Sequence, residues 1–380
     1  MAWNPIKGMF RRGRERSAKV PKISWLAAAE NPWGIPVLDV RPLTLTAHSL
    51  TTDPEKAANL VSISKDDGIG FIGKKPPVAR YIPASLRFRR DRGLFDGVLF
   101  VPREMEHKWA LFYHRGKIIC VRSWQREVQA VADVEVGANH IEITGVQGAF
   151  FAADEEPAFT VRVLDYLLRS HALETTYPAP LPSGMDADPG QAALWCMSAF
   201  GSLALVATSQ ELPRTEPEKP LRTHSLLHIA VARGDIAAIN ASLAAGVPVD
   251  LLAGDGLAPL HWALAADDPA VMALLLERGS SPDVRSAEGA TPLMNAVQEP
   301  RIEQASFLLD HGADANARDG RGFTALHRAA EMGHIDLVRL LLDRGAAVNP
   351  DAGGHTPRSL AQARGEAAIV ALLDERGASP

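Results

Sequence analysis

The chain has 380 residues, more than one hydrophobic core ordinarily organises, so two domains are expected. Its 46% hydrophobic and 22% charged residues are those of a soluble globular protein, and its two cysteines, Cys120 and Cys196, exclude a secreted disulfide framework and fit a reducing, cytoplasmic compartment. The net charge of −5 is uneven: residues 222–380 carry 13 Arg, no Lys and 20 Asp+Glu, while the positive charge of the rest is concentrated in the first 22 residues, so nucleic acid is not the expected partner of the folded bulk.

Residues 1–22 form a basic N-terminal tail. Trp3, Ile6, Met9 and Phe10 precede Arg11, Arg12, Arg14 and Arg16. That order is the reverse of a secretory signal, and no apolar run follows it. Two readings stand: a solvated tail, or a segment resting on an anionic membrane surface, against which Pro5 and Gly8 argue by weakening any helix.

Residues 23–209 are expected to form an α+β domain, antiparallel sheet followed by helix, of no family that the residues identify. Its most suggestive motif is Gly68-Ile-Gly70-Phe-Ile-Gly73-Lys74. A phosphate-binding glycine loop needs a strand before it and a helix after it, so that backbone N–H groups and the helix dipole meet the phosphate. Here Asp66 and Asp67 precede the glycines and would repel phosphate, and Lys75-Pro-Pro77 forbids the helix, so the segment reads as a glycine-rich turn with no nucleotide cofactor. Next, Lys108–His114 and Lys117–Trp124 flank His114-Arg115-Gly116, the pattern of a tight hairpin. Further strands are expected over Glu127–Val136 and His140–Val146, and a helix over Ala158–His171 with Val161, Leu164, Leu167 and Leu168 on one face. Pro178, Pro180 and Pro182 end that pattern. The uncharged stretch Gln191–Gln210 is marginally short for a membrane span, is interrupted by Ser198, Gly201 and Ser202, and reads as buried core.

Cys120 with His107, His114, His140 or His171 would supply a nucleophile and a base, but no spacing singles out a pair. Cys120 lies in the apolar run Ile118–Val121 and reads as a small buried hydrophobe. No zinc-ligand pair, nucleophile elbow or paired-carboxylate signature occurs, so no catalytic or metal-binding residue is assigned.

Residues 210–221, rich in proline and charge, read as an extended linker that few contacts should cross. Beyond it the chain repeats itself. His228, His261, Met294, His327 and Ser359 head five segments, and a glycine follows 18 residues after each head: Gly246, Gly279, Gly312, Gly345 and Gly377. In the best copy, Ile335, Val338, Leu341 and Leu342 fall on one helical face, and the glycine supplies the left-handed residue that ends the helix. Asp268-Pro269 opens the second helix of unit two as a cap followed by proline.

The motifs Ala258-Pro-Leu-His261, Thr291-Pro-Leu-Met294, Thr324-Ala-Leu-His327 and Thr356-Pro357, with the tails Gly312-Ala-Asp-Ala-Asn316 and Gly345-Ala-Ala-Val-Asn349, make residues 222–380 resemble the ankyrin repeat. Departures are local: Met294 replaces the histidine in unit three, Arg358-Ser359 replaces Leu-His in unit five, and unit one lacks the Thr-Pro pair, as end units do when they cap a stack. The resemblance implies an all-α solenoid of helix pairs and finger loops that binds proteins, with His228, His261 and His327 as a structural ladder bonding backbone rather than a metal site.

The function expected is that of an adaptor which grips a protein partner through its repeats; the rival is an enzyme or effector whose N-terminal active site escapes motif reading. Because the repeating apolar positions are buried between units, the non-repeating ones are free to specify the partner. Those are Asp255 and Leu257, Glu288 and Ala290, Arg321 and Phe323, and His355 on successive fingers, with Gln298, Glu299, Glu331 and Met332 on the first helices. Phe323 reads either as an anchor or as packing against a neighbouring finger. The Ala- and Arg-rich composition suggests a bacterial source.

Overall fold

The computed structural model describes residues 23–44, 61, 66–91, 93–104, 106–212, 217, 219–264 and 269–378. The basic tail and its membrane reading, Asp268 and most of the charged part of the linker lie outside them.

The N-terminal half is sheet-rich. It holds β1 (Ser24–Leu26), β2 (Val37–Asp39), a short helix α1 (Arg41–Thr44), then β3 (Tyr81–Arg89), β4 (Gly97–Phe100), β5 (Trp109–His114), β6 (Lys117–Arg122), β7 (Glu127–Val136) and β8 (His140–Gly148). Helix α2 (Pro157–Leu167), with a π turn over Leu168–Ala172, precedes β9 (Ala179–Pro180), helix α3 (Pro189–Phe200) and β10 (Val206–Thr208). A last strand, β11 (His224–Ser225), stands just before the repeats. The large sheet runs β11-β4-β5-β6-β7-β8-β3 with every neighbouring pair antiparallel, and a small one runs β1-β2-β10-β9.

The β5–β6 hairpin turns at Arg115 and Gly116, both with positive φ (50° and 73°), the mirror-image turn whose twist matches that of the flanking strands. The two strands are apolar at consecutive positions because both faces of the sheet are covered. On one face Trp109, Leu111, Ile118 and Cys120 pack with Leu164, Leu167 and Leu168 of α2 and its extension. On the other, Ala110, Phe112, Ile119 and Val121 pack with Phe71 and with Ile229 of the first repeat. Pro157 opens α2, and the Glu155 carboxylate before it accepts from Phe150 N (2.8 Å), Phe151 N (3.0 Å) and Thr160 Oγ1 (2.7 Å). Asp188 caps α3 by accepting from Gly190 N and Gln191 N, and Gly201 ends it with φ 76°. The uncharged stretch is thus a core helix, a 3-10 turn and β10. No helix among the described residues is long and apolar enough to cross a membrane.

The C-terminal half stacks five helix pairs: α4 (Leu226–Ala232) and α5 (Ile236–Ala244), α6 (Pro259–Ala263) and α7 (Pro269–Glu277), α8 (Pro292–Gln298) and α9 (Ile302–Asp310), α10 (Ala325–Glu331) and α11 (Ile335–Asp343), α12 (Pro357–Arg364) and α13 (Ala367–Glu375). All five predicted glycines have φ between 86° and 92°. Equivalent positions fill one continuous core: Leu227, Leu260, Leu293 and Leu326 from the first helices, and Ile239, Met272, Ala305 and Val338 from the second.

The junction between the halves differs from the expectation of few contacts. Leu221 N donates to Arg89 O (2.8 Å), Arg222 pairs with Asp91, Thr223 Oγ1 donates to Phe95 O (2.7 Å), and Leu226 N donates to Asp96 O (3.0 Å). Between these, His224 and Ser225 lie opposite Val98 and Gly97 as the edge strand of the large sheet. A Cβ on Gly97 would fall 2.2 Å from His224 O, so only glycine lets the strands meet here.

Candidate protein-interaction surface

The finger loops are held by ladders with the repeat period. Each head histidine is fixed as the Nε2–H tautomer. His261 Nδ1 accepts from Ala258 N (3.2 Å) while Nε2–H donates to Ala290 O (3.1 Å) on the next finger. His327 does the same with Thr324 N (3.0 Å) and His355 O (3.0 Å). His228 takes the Ser225 hydroxyl (2.8 Å) and donates to Leu257 O (3.2 Å). Burial holds all three below the ordinary histidine pKa, His228 at about 3. A second ladder joins the turns after the second helices: Asp250 accepts from Ser280 Oγ (2.6 Å), Asp283 from Asp314 N (3.0 Å), and Asn316 from Ala347 N (2.7 Å) while donating to Gly345 O (3.1 Å). A third links finger to finger, Arg285 donating to Arg318 O and Arg318 to Asp351 O (2.6 Å). Fingers so tied are a rigid frame for whatever their outward side chains meet.

The predicted contact residues sort into three groups. Asp255, Glu288, Gln298, Glu299, Arg321, Met332 and His355 are exposed, Met332 at 50%. Several are already oriented: Asp255 accepts from Leu257 N (2.9 Å) and Trp262 Nε1 (3.0 Å), Gln298 accepts from Arg328 (3.0 Å), and Glu299 pairs with Arg301 (2.9 Å). Glu331 is half-buried and paired with Arg364 (2.7 Å), and Leu257 and Phe323 are half-buried. The Phe323 ring lies 5.1 Å from the His327 ring and 6.3 Å from that of His355, with the Arg321 guanidinium 5.1 Å above it, so it packs against its own head residue and the next finger while keeping an open edge. Ala290 is a correction. It is 7% exposed and belongs to the repeat core, because a methyl group at this place is too short to reach past the finger. Trp262, which follows the head of unit two and is not among the predicted contacts, packs tilted against His224 (ring centroids 5.3 Å) and edge-on against His228 (5.6 Å).

In the first repeat the equivalent places are filled. Counting from the heads, Arg222 corresponds to Asp255, Glu288 and Arg321; His224 to Leu257, Ala290 and Phe323; Ile229 to Trp262, Asn295 and Arg328; and Arg233 to Glu299 and Met332. Arg222 pairs with Asp91, His224 joins the sheet, Ile229 is 3% exposed against it, and Arg233 pairs with Asp67 (3.2 Å). Every one of these contacts is to the N-terminal domain.

On that domain the glycine-rich segment is a 3-10 turn over Ile69–Phe71, entered through the left-handed Gly68 and followed by a turn at Ile72 and Gly73 rather than by a helix. Gly68 has φ 90°, and a Cβ there would sit 2.6 Å from Phe112 and His114, so the glycine serves close packing; the Phe71 ring stacks on Phe112 at 5.4 Å. Cys120 and Cys196 are fully buried and burial pushes both thiols up, which disfavours the thiolate a nucleophile needs. A groove of about 330 Å³ on this half is lined by Phe100, Arg103, Glu104, His107 and Glu174 among others. Arg103 and Glu174 pair there (2.8 Å), His107 Nδ1 accepts from Arg103 N (3.1 Å), and burial lowers the His107 pKa. Behind it His171 is fully buried, bonded through Nδ1 to Ser170 Oγ (2.7 Å) and held at about pKa 3 by burial. Among the described residues no group of three His, Cys, Asp or Glu could hold a metal ion.

Residues 227–319 match a family model described as ankyrin repeats (3 copies), and residues 308–361 match one described as ankyrin repeats (many copies). No curated protein matches the chain.

Proposed function

From the premise that residues 227–361 are an ankyrin-repeat segment, a module for protein–protein interaction, we propose that this protein is a cytoplasmic, bacterial adaptor, and that it holds a protein partner on the fingers and first helices of repeats two to five. What supports the surface assignment is the first repeat: the places equivalent to Asp255, Trp262, Phe323 and Met332 are the ones with which it holds the N-terminal domain. The open face carries charges of both signs around Trp262, Phe323 and Met332, which suits a folded protein better than nucleic acid. The test is titration calorimetry of a partner captured by the full chain. Met332→Arg with Gln298→Arg is expected to weaken binding about ten-fold or more while leaving the unfolding midpoint unchanged. Equal affinity for the variant sinks the surface assignment.

The rival, an active site on the N-terminal domain, has the groove beside His107 in its favour. Saturable small-molecule binding that His107→Ala abolishes, in a full chain of unchanged stability, would move the reading there.

A further inference from the structure

In repeats two to five each finger is a small hairpin closed by its own backbone. Ala253 N donates to Leu257 O (2.9 Å), Ser286 N to Ala290 O (2.9 Å), Asp319 N to Phe323 O (2.8 Å) and Ala352 N to His355 O (3.0 Å). In the first repeat the residue equivalent to Ala253, Ser286 and Asp319 is Pro220, which has no N–H to close the hairpin. In its place stands β4: Val98 and Gly97 lie opposite His224 and Ser225.

The first helix shows the same substitution. A terminal repeat that faces water needs a polar outer surface, yet α4 presents Leu226 and Ile229. Both pack against the second face of the large sheet, with Val98, Phe112, Val121 and Phe71. Ile229 is 3% exposed, whereas its equivalents Trp262, Asn295, Arg328 and Leu360 are all partly exposed. The dependence is mutual, because that sheet face is apolar and is covered by α4 and the Phe71 turn together.

We infer that the N-terminal domain is the amino-terminal cap of the repeat stack: β4 supplies the outer arm of the first finger, the sheet buries the first helix, and the two halves fold as one cooperative unit. The inference holds whatever partner the repeats take. Its consequence is mechanical. A solenoid passes stability between neighbouring units, so anything that stiffens repeat two acts through repeat one on the N-terminal sheet.

The test uses the full chain and hydrogen exchange read peptide by peptide. Ile229→Asp is expected to lower protection of residues 109–122 and of residues 226–264 together, each by about ten-fold or more, while Asn295→Asp changes neither. If Ile229→Asp lowers protection in the repeats and leaves residues 109–122 as in the wild type, the inference is overturned. Should Ile229→Asp not fold, wild-type chain nicked by protease within residues 210–220 decides: the two pieces are expected to co-elute on gel filtration and unfold in one transition, and separation into two folded species overturns the cap.

Discussion

Lowering the pH from 7 to 5 should cost this protein several kcal/mol of stability, and the histidines give the amount. His171 and His228 are fully buried and hold pKa values of about 3, against about 6.5 in an unfolded chain. Between those limits the unfolded state binds the proton and the folded state does not, so stability is complete above about pH 6.5 and is lost as pH falls towards 3. At pH 5 each of the two contributes a loss of about 2 kcal/mol, roughly 4 kcal/mol together. His107, His224, His261 and His327 are shifted in the same direction by burial and deepen the loss. Asp39 and Asp319 are held below the usual carboxylate range and act only under about pH 4, outside this window. Asp283 is raised by burial, against the Asp314 N–H that lowers it, so protonating it favours the fold, opposite in sign to the histidines. The assay is urea unfolding followed by circular dichroism at pH 7, 6 and 5. A built-in control comes from unit three, where Met294 shows that the stack accepts an apolar head. His228→Met should lose about 1–3 kcal/mol at pH 7, because the Leu257 carbonyl and Ser225 hydroxyl lose their partner. It should then lose about 2 kcal/mol less than wild type between pH 7 and 5. A wild-type midpoint that is flat or rises towards pH 5 would refute the reasoning.

Gly97→Val should destabilise the whole chain by roughly 3 kcal/mol or more, since its Cβ meets the His224 carbonyl and its φ of 155° lies where side chains are strained; unchanged urea unfolding would contradict the β4–β11 pairing. Phe323→Ala should cost about 1–2 kcal/mol, as a half-buried ring between two histidines does, whereas Met332→Ala should stay within about 0.5 kcal/mol; equal thermal shifts for the two would overturn the distinction drawn between them.

The repeat half was legible because its information is local and periodic. Heads, glycines and helix faces recur at fixed spacing, and the left-handed residue after each second helix is written as glycine. The β5–β6 hairpin was legible for the same reason: two apolar runs flank a short polar turn in which Gly116 takes positive φ freely, while Arg115 is held at φ 50° by the turn. What stayed hidden is set by long-range pairing. β1, β2 and β10 are three residues each, too short to show a period, and β3 keeps a full alternation, with Ile82, Ala84, Leu86 and Phe88 inward, but holds Pro83, which argues against a strand when read in sequence. The docking of the halves was hidden too. His224 and Ser225 have no strand signature, and Ile229 reads as one more apolar helix residue until the alignment places it where other repeats carry Trp262, Asn295 and Arg328. Of the contact positions, Ala290 was misplaced because alignment gives the position but not the length of the side chain needed to reach past the finger.

The claim that the open face of repeats two to five holds the partner is tested most directly by site-specific photo-crosslinking in the full chain. A photoreactive residue replaces Met332, which is exposed at the C-terminal end of a first helix, and in a second variant Arg339, which is exposed on a second helix. The account predicts that the adduct with a captured partner forms from position 332 and not from position 339. Adduct from 339 with none from 332 would contradict it.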